Sequence, residues 1–214
     1  MTNCQLSINI QIVPFEPHFQ DHALKLYNEV LNSQTNEFGK TANAYLKWYT
    51  ERIVSEEGGD LLNIYKSYMR KTEGDTLDSP DCKHFWVAID ESKQTIVGLI
   101  GVIMSTYPQN DKFIYHRKEF NPSNVCELVR MVVCKDYRNK HVGKRMFQTL
   151  EKYAMEKGMK EIVLSTLDGN GSAGSFYTGV GFKVANKTKV NVLESLGPGD
   201  WQDLFIFHFV KSLQ

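Results

Sequence analysis

The segment from Val125 to Leu167 constrains this chain more than any other. It reads as a β-branched run, "VCELVRMVV", a cation-rich turn, an amphipathic stretch, "VGKRMFQTLEKYAMEKG", and a second β-branched run, "EIVLSTL". Strand, helix and strand within about forty residues are the proportions of a right-handed parallel crossover. In the helix, Val142, Met146, Phe147, Leu150, Tyr153 and Ala154 share one face, and Gly158 is a natural C-terminal stop.

Other elements are expected on both sides of this unit. Alternation in "LSINIQIV" predicts an opening strand, and "PHFQDHALKLYNEVL" sets Phe19, Ala23, Leu24, Leu26, Tyr27 and Val30 on one helical stripe. Residues 33–82 are polar and helix-tending, with short apolar stripes in "AYLKWYTERIV" and "LLNIYKSYM", and read as an inserted cap within a single domain spanning 1–214. "HFWVAID" and "TIVGLIGVIM" predict an antiparallel hairpin, followed by a loop from Tyr107 to Asn124. At the end, "AGSFYTGVGF" predicts a short helix and a turn, and "KVNVLESLGPGDWQDLFIFHFV" two strands joined at Gly-Pro-Gly.

Composition narrows the function. With 214 residues, 42% hydrophobic and 23% charged, the chain can bury a sizeable core, which excludes disorder and fibres. Basic and acidic residues both number 25, so there is no overall field for holding a nucleic-acid backbone. Cys4, Cys82, Cys126 and Cys134 form no C-x-x-C pair and lack histidines at zinc spacing, so neither metal nor disulfide is assigned. The N-terminus has no basic lead, and the most apolar run, Ile96 to Met104, is far short of the roughly 20 residues that span a bilayer. The expected location is the cytosol, with no membrane partner.

The turn "CKDYRNKHVGKRMF" gathers Lys135, Arg138, Lys140, Lys144 and Arg145 around Gly143. It could be a nucleic-acid patch, a solvated helix face or a cradle for a small polyanion. A helix starting near His141 puts its free amides and positive dipole end here, so Lys144 and Arg145, with Arg138 and Lys140 just before them, each cost about 0.3–1 kcal/mol unless an anion is present. A polyphosphate resolves that conflict, with Gly143 letting the backbone approach closely.

"YRNKHVGKRM" resembles the acyl-CoA loop of the GNAT superfamily of N-acetyltransferases, R/Q-x-x-G-x-G/A, with Arg138 in the first position and Gly143 in the last. His141 stands where the family usually has its first glycine. Downstream, Asn170, Ala173, Phe176, Tyr177, Gly181 and Phe182 reproduce the second signature, N-x-x-A-x-x-F-Y-x-x-x-G-F. The resemblance covers about Val125 to Lys183, and "ELVRMVV" with "YRNKHVGK" looks most like the camello-type branch. It implies an α/β (α+β) fold with a mixed, centrally splayed sheet of about seven strands flanked by helices. It also implies acetyl-CoA as co-substrate, held by the backbone of Met131, Val132 and Val133, by the loop residues Arg138, Asn139, Lys140, His141, Val142, Gly143 and Lys144, and by Asn170, Phe176 and Tyr177.

Acyl transfer from a thioester to an amine needs a deprotonated nucleophile, donors for the oxyanion and an acid for the departing thiolate. Tyr177 is the candidate acid, its ordinary pKa near 10 lying close to that of an alkyl thiol. Glu127, eleven residues before Arg138, is the candidate base, at the spacing where lysine-acetylating members of the family carry a glutamate. Strand alternation predicts Glu127 on one face with Val129, Met131 and Val133. Arg130 is read as a solvated or paired strand residue; His84 and His116 have no motif around them, and His141 is the exception only in sitting on the phosphate loop.

The function these residues imply is acetyl-CoA-dependent N-acetylation of a primary amine, on a small molecule or amino-acid derivative, by direct attack through a tetrahedral intermediate. Two alternatives stand beside it: acetylation of protein lysines or N-termini, and an inactive module that holds acyl-CoA without turning it over. No nucleic acid is expected as partner, and the chain is expected to be a monomer or homodimer.

Overall fold

The computed structural model describes residues 9–34, 39–55, 59–70, 82–105, 122–168 and 171–213. In chain order the elements are β1 (Ile10–Pro14), α1 (Gln20–Gln34), α2 (Lys40–Ser55), β2 (His84–Asp90), β3 (Thr95–Met104), β4 (Val125–Val133), α3 (Val142–Glu156), β5 (Glu161–Leu167), α4 (Gly171–Gly179), β6 (Lys183–Lys189), α5 (Val192–Leu196) and β7 (Phe205–Ser212). The seven strands form one mixed sheet ordered β1-β2-β3-β4-β5-β7-β6. β2 and β3 are the expected antiparallel hairpin, and β4 and β5 the parallel pair joined through α3.

Hydrophobic periodicity decides which helix covers which face. Met146, Phe147, Leu150 and Ala154 of α3 bury against Ile162 and Leu164 of β5 and Cys126 and Leu128 of β4. Each such side chain contributes about 1.5–3 kcal/mol through loss of exposed surface. The opposite face is covered by Ala23, Leu26, Tyr27 and Val30 of α1 together with Leu61, Ile64 and Tyr68. A third, small cluster joins Ala42 of α2 to Val192 of α5 and Leu204. No helix among the described residues is long and apolar enough to cross a membrane.

Two sequence expectations fail locally. "KVNVLESL" is not a strand: the strand is Lys183–Lys189, and Val192–Leu196 is helical. β6 is the sheet edge, where lysines blunt further pairing and no apolar half announces the strand. Nor does Glu127 share a face with Met131 and Val133. Met131 and Val133 pack in the α3 cluster, whereas Val129 and Val132 join the α1 cluster. The register shift between Leu99 and Gly101 sets Arg130 and Met131 against the single residue Ile100, and one extra residue reverses every face beyond it.

Candidate active site

β4 and β5 pair only at Val125↔Glu161, Cys126↔Ile162 and Glu127↔Val163; beyond that β5 continues along β7 while β4 stays with β3. The bulge drives this divergence, because an inserted residue bends its strand and adds twist. Arg130 holds it with φ +56°, in the left-handed region. From Leu128 onward, β4 presents backbone that β5 does not pair, an edge able to accept an extended, amide-bearing chain. The opening widens into a cleft of about 820 Å³.

The bulge is anchored from outside. The Arg130 guanidinium donates to both carboxylate oxygens of Asp60, each at 2.8 Å, and to the Tyr49 hydroxyl at 2.5 Å, while Tyr68 donates to Asp60. Burial alone would lower the Arg130 pKa, but the Asp60 bonds and the neighbouring phenols more than offset it, so the guanidinium stays charged. Arg130 is therefore committed to structure, and it ties the segment after α2 to the point where the sheet opens.

The cation-rich turn forms the mouth of the cleft. Asn139 and His141 both take positive φ, at +59° and +61°, and α3 starts at Val142. The amides of Val142, Gly143 and Lys144 lie in the first helical turn, and no hydrogen bond to another described residue uses them. They are ready for an anion. A Cβ on Gly143 would come within 3.3 Å of Met131 and 3.4 Å of Phe176, so glycine lets the helix start sit against β4 and α4. The left-handed backbone also explains why His141 is the unusual residue here, since that conformation costs a side-chain-bearing residue about 1–2 kcal/mol. His141→Gly is accordingly expected to raise stability by about 1 kcal/mol and the melting temperature by about 2–4 °C, read by calorimetry.

Tyr177 stands on the wall formed by α4, its ring packed edge-on to Phe176 and Phe182 and against Phe209. Burial pushes its phenol well above the usual range, so the hydroxyl keeps its proton and is available as a donor. Glu127 occupies the last rung shared by β4 and β5, next to where the strands part, and lines the cleft. Across the cleft, Tyr27, Val30 and Leu31 of α1 and Tyr45, Leu46 and Tyr49 of α2 make an apolar, aromatic wall.

The cleft thus brings together Glu127, Met131, Val132, Val133, Arg138, Asn139, His141, Val142, Gly143, Lys144, Phe176 and Tyr177. Lys140 is not among them: its ammonium lies over the Tyr137 ring. Arg138 donates through Nε to the Val133 carbonyl, whereas Arg145 is drawn away to the Ile10 carbonyl. Asn170 and His116 lie outside the described residues, and His84 stacks on Trp86, where burial lowers its pKa. Sequence reasoning missed the aromatic wall of α1 and α2, and also Ser165, whose signal was only a polar residue in the strand "EIVLSTL".

Known proteins share this architecture. A model of the acetyltransferase (GNAT) family matches residues 43–182. Over 137 residues the chain is 31% identical to a probable N-acetyltransferase, camello, of Xenopus tropicalis, covering 64% of this chain and 50% of that one. Over 154 residues it is 27% identical to N-acetyltransferase 8B of Homo sapiens, covering 72% and 56%. The chain spans about half the length of the curated relatives it matches. Among solved structures, a GNAT-family acetyltransferase from Staphylococcus aureus Mu50 aligns with a TM-score of 0.59 at 21% identity, covering 96% of this chain and all of that one. The PaiA N-acetyltransferase of Thermoplasma acidophilum, solved in complex with coenzyme A, aligns with a TM-score of 0.60 at 19% identity, covering 95% and 99%. These two likenesses concern the fold alone. The family match runs through the parted strands, the amide-lined mouth and the Tyr177 helix, and on that ground the chain belongs to the acetyltransferase (GNAT) family, with relatives in the camello branch.

Proposed function

We propose that this domain transfers an acetyl group from acetyl-CoA to a primary amine of a small molecule or amino-acid derivative. The observation that carries the proposal is one cleft lined by β4 where it parts from β5, by the first-turn amides of α3 that no described residue uses, and by Tyr177. Acetyl-CoA would supply the thioester. The amides of Val142, Gly143 and Lys144, with Arg138 beside them, suit its pyrophosphate, and the unpaired edge of β4 at Met131 to Val133 suits its pantetheine amides. Tyr177, kept protonated by burial, returns a proton to the departing thiolate. Glu127 takes a proton from the attacking nitrogen. The wall of Tyr27, Tyr45, Leu46 and Tyr49 encloses the acceptor side and favours a compact acceptor with an apolar part over a folded protein surface.

Thiol release from acetyl-CoA, followed across a panel of primary amines, amino-acid derivatives and lysine peptides, tests this reading. Turnover of a small amine above any peptide is expected. Preference for peptides would move the substrate class to proteins, and absence of release with every acceptor would leave only an acyl-CoA-binding module. In the same assay Glu127→Gln is expected to lower kcat by about 10²-fold.

A further inference from the structure

One polar chain crosses the sheet beside the cleft without a part in the reaction as described so far. Ser165 of β5 lines the cleft and is exposed there. Its Oγ lies 2.8 Å from Nδ1 of His208, its register partner on β7. His208 is 7% exposed, and its Nε2 lies 2.8 Å from Oγ1 of Thr188 on β6, the edge strand. A hydroxyl, an imidazole and a hydroxyl therefore run in hydrogen-bond contact from the cleft to the sheet edge. Both ends can donate or accept, so the chain has two self-consistent orientations: Ser165 donates to Nδ1 while Nε2–H donates to Thr188, or every bond is reversed. Two orientations that each keep both of these bonds are what a proton wire needs.

The position fits that use. Ser165 follows Val163 by two residues on β5, and Val163 is the rung partner of Glu127, so Ser165 and Glu127 project from the same face where the strands separate. An acceptor amine aimed into this opening has a carboxylate at its inner end and the Ser165 hydroxyl along its side.

We propose that Ser165, His208 and Thr188 form a relay that carries the proton of the acceptor ammonium out of the cleft, Ser165 touching the amine and His208 acting through Ser165 as a positioning residue. This rests on the acetyltransferase reading above. An ammonium has three protons on nitrogen and the product amide has one. The first proton passes to Ser165 Oγ as the Ser165 proton moves to Nδ1, the Nε2 proton moves to Thr188, and the Thr188 proton leaves to solvent. The freed amine attacks, the C–N bond forms and the C–S bond breaks. Glu127 takes the second proton while Tyr177 protonates sulfur, and transfer from Glu127 to the phenolate resets both after the products leave. One proton is released per turnover.

The test compares two acceptors of matching shape, a primary alkylamine and an acyl hydrazide that is already neutral at assay pH. Ser165→Ala is expected to lower kcat on the alkylamine by about 10²-fold and on the hydrazide by at least about tenfold less, with KM for acetyl-CoA unchanged. Ser165→Thr restores the hydroxyl and most of the rate, and His208→Gln reproduces the acceptor-dependent loss of Ser165→Ala. Adding it to Ser165→Ala costs little more, because the two act as one unit. Equal losses on both acceptors, or no loss on either in a variant that melts like the parent, would overturn the relay while leaving the acetyltransferase reading intact. An unmodified protein inert toward every amine would overturn both.

Discussion

Replacing Tyr177 by phenylalanine is expected to lower kcat by about 10³-fold while leaving the affinity for acetyl-CoA and the melting temperature nearly unchanged. The structure separates these effects. The Tyr177 ring contributes packing against Phe176, Phe182 and Phe209, all of which a phenylalanine keeps. The hydroxyl makes no hydrogen bond to another described residue, so removing it strands no partner among them. What disappears is one donor that burial keeps protonated on the cleft wall. Thiol release under saturating acetyl-CoA, with titration calorimetry of acetyl-CoA, checks both halves. Undiminished turnover in the variant would assign the proton to another group, and a large loss of affinity would make Tyr177 a binding residue.

The parts of the site carried by local pattern were legible in the sequence. The stripe of Val142, Met146, Phe147, Leu150, Tyr153 and Ala154 predicted α3, and all are buried except Tyr153, which is half-buried. The turn before it was legible because several cations at a helix start contradict the dipole unless an anion is met there. The sequence reading also singled out His141, and the structure supplies the physical reason, a left-handed backbone that glycine would adopt without strain.

The parts that depend on distant partners were not legible. A bulge whose left-handed residue is glycine leaves a mark in the sequence, but in "LVRMVV" that residue is Arg130, held by Asp60 seventy positions earlier. Nothing local predicts it, so alternation was extended straight through and placed Met131 and Val133 on the wrong face. The contact of Ser165 with His208 depends in the same way on the register of β5 against β7, although a histidine between Phe207 and Phe209 in an apolar strand was a readable irregularity. At β6, solvent on the edge removes the apolar half of the pattern altogether.

The second large effect is expected at the bulge itself. Arg130→Ala should destabilise the protein by about 3–5 kcal/mol, because it leaves the part-buried Asp60 carboxylate without its bidentate partner. In a chain of this size that lowers the melting temperature by roughly 6–20 °C. Arg130→Gly offers a sharper test. Glycine ordinarily destabilises a strand relative to alanine, but with φ at +56° the order should invert, the glycine variant being more stable than the alanine variant by about 1 kcal/mol. The inversion would show that the ion pair holds a strained backbone in place and does not merely fill space. Since that backbone is where β4 departs from β5, both variants should also bind acetyl-CoA more weakly than the parent under conditions where each remains folded. Melting curves for the three proteins, with acetyl-CoA titrations well below the lowest midpoint, read both effects. An alanine variant as stable as the parent would show that the bulge is held by the strands alone.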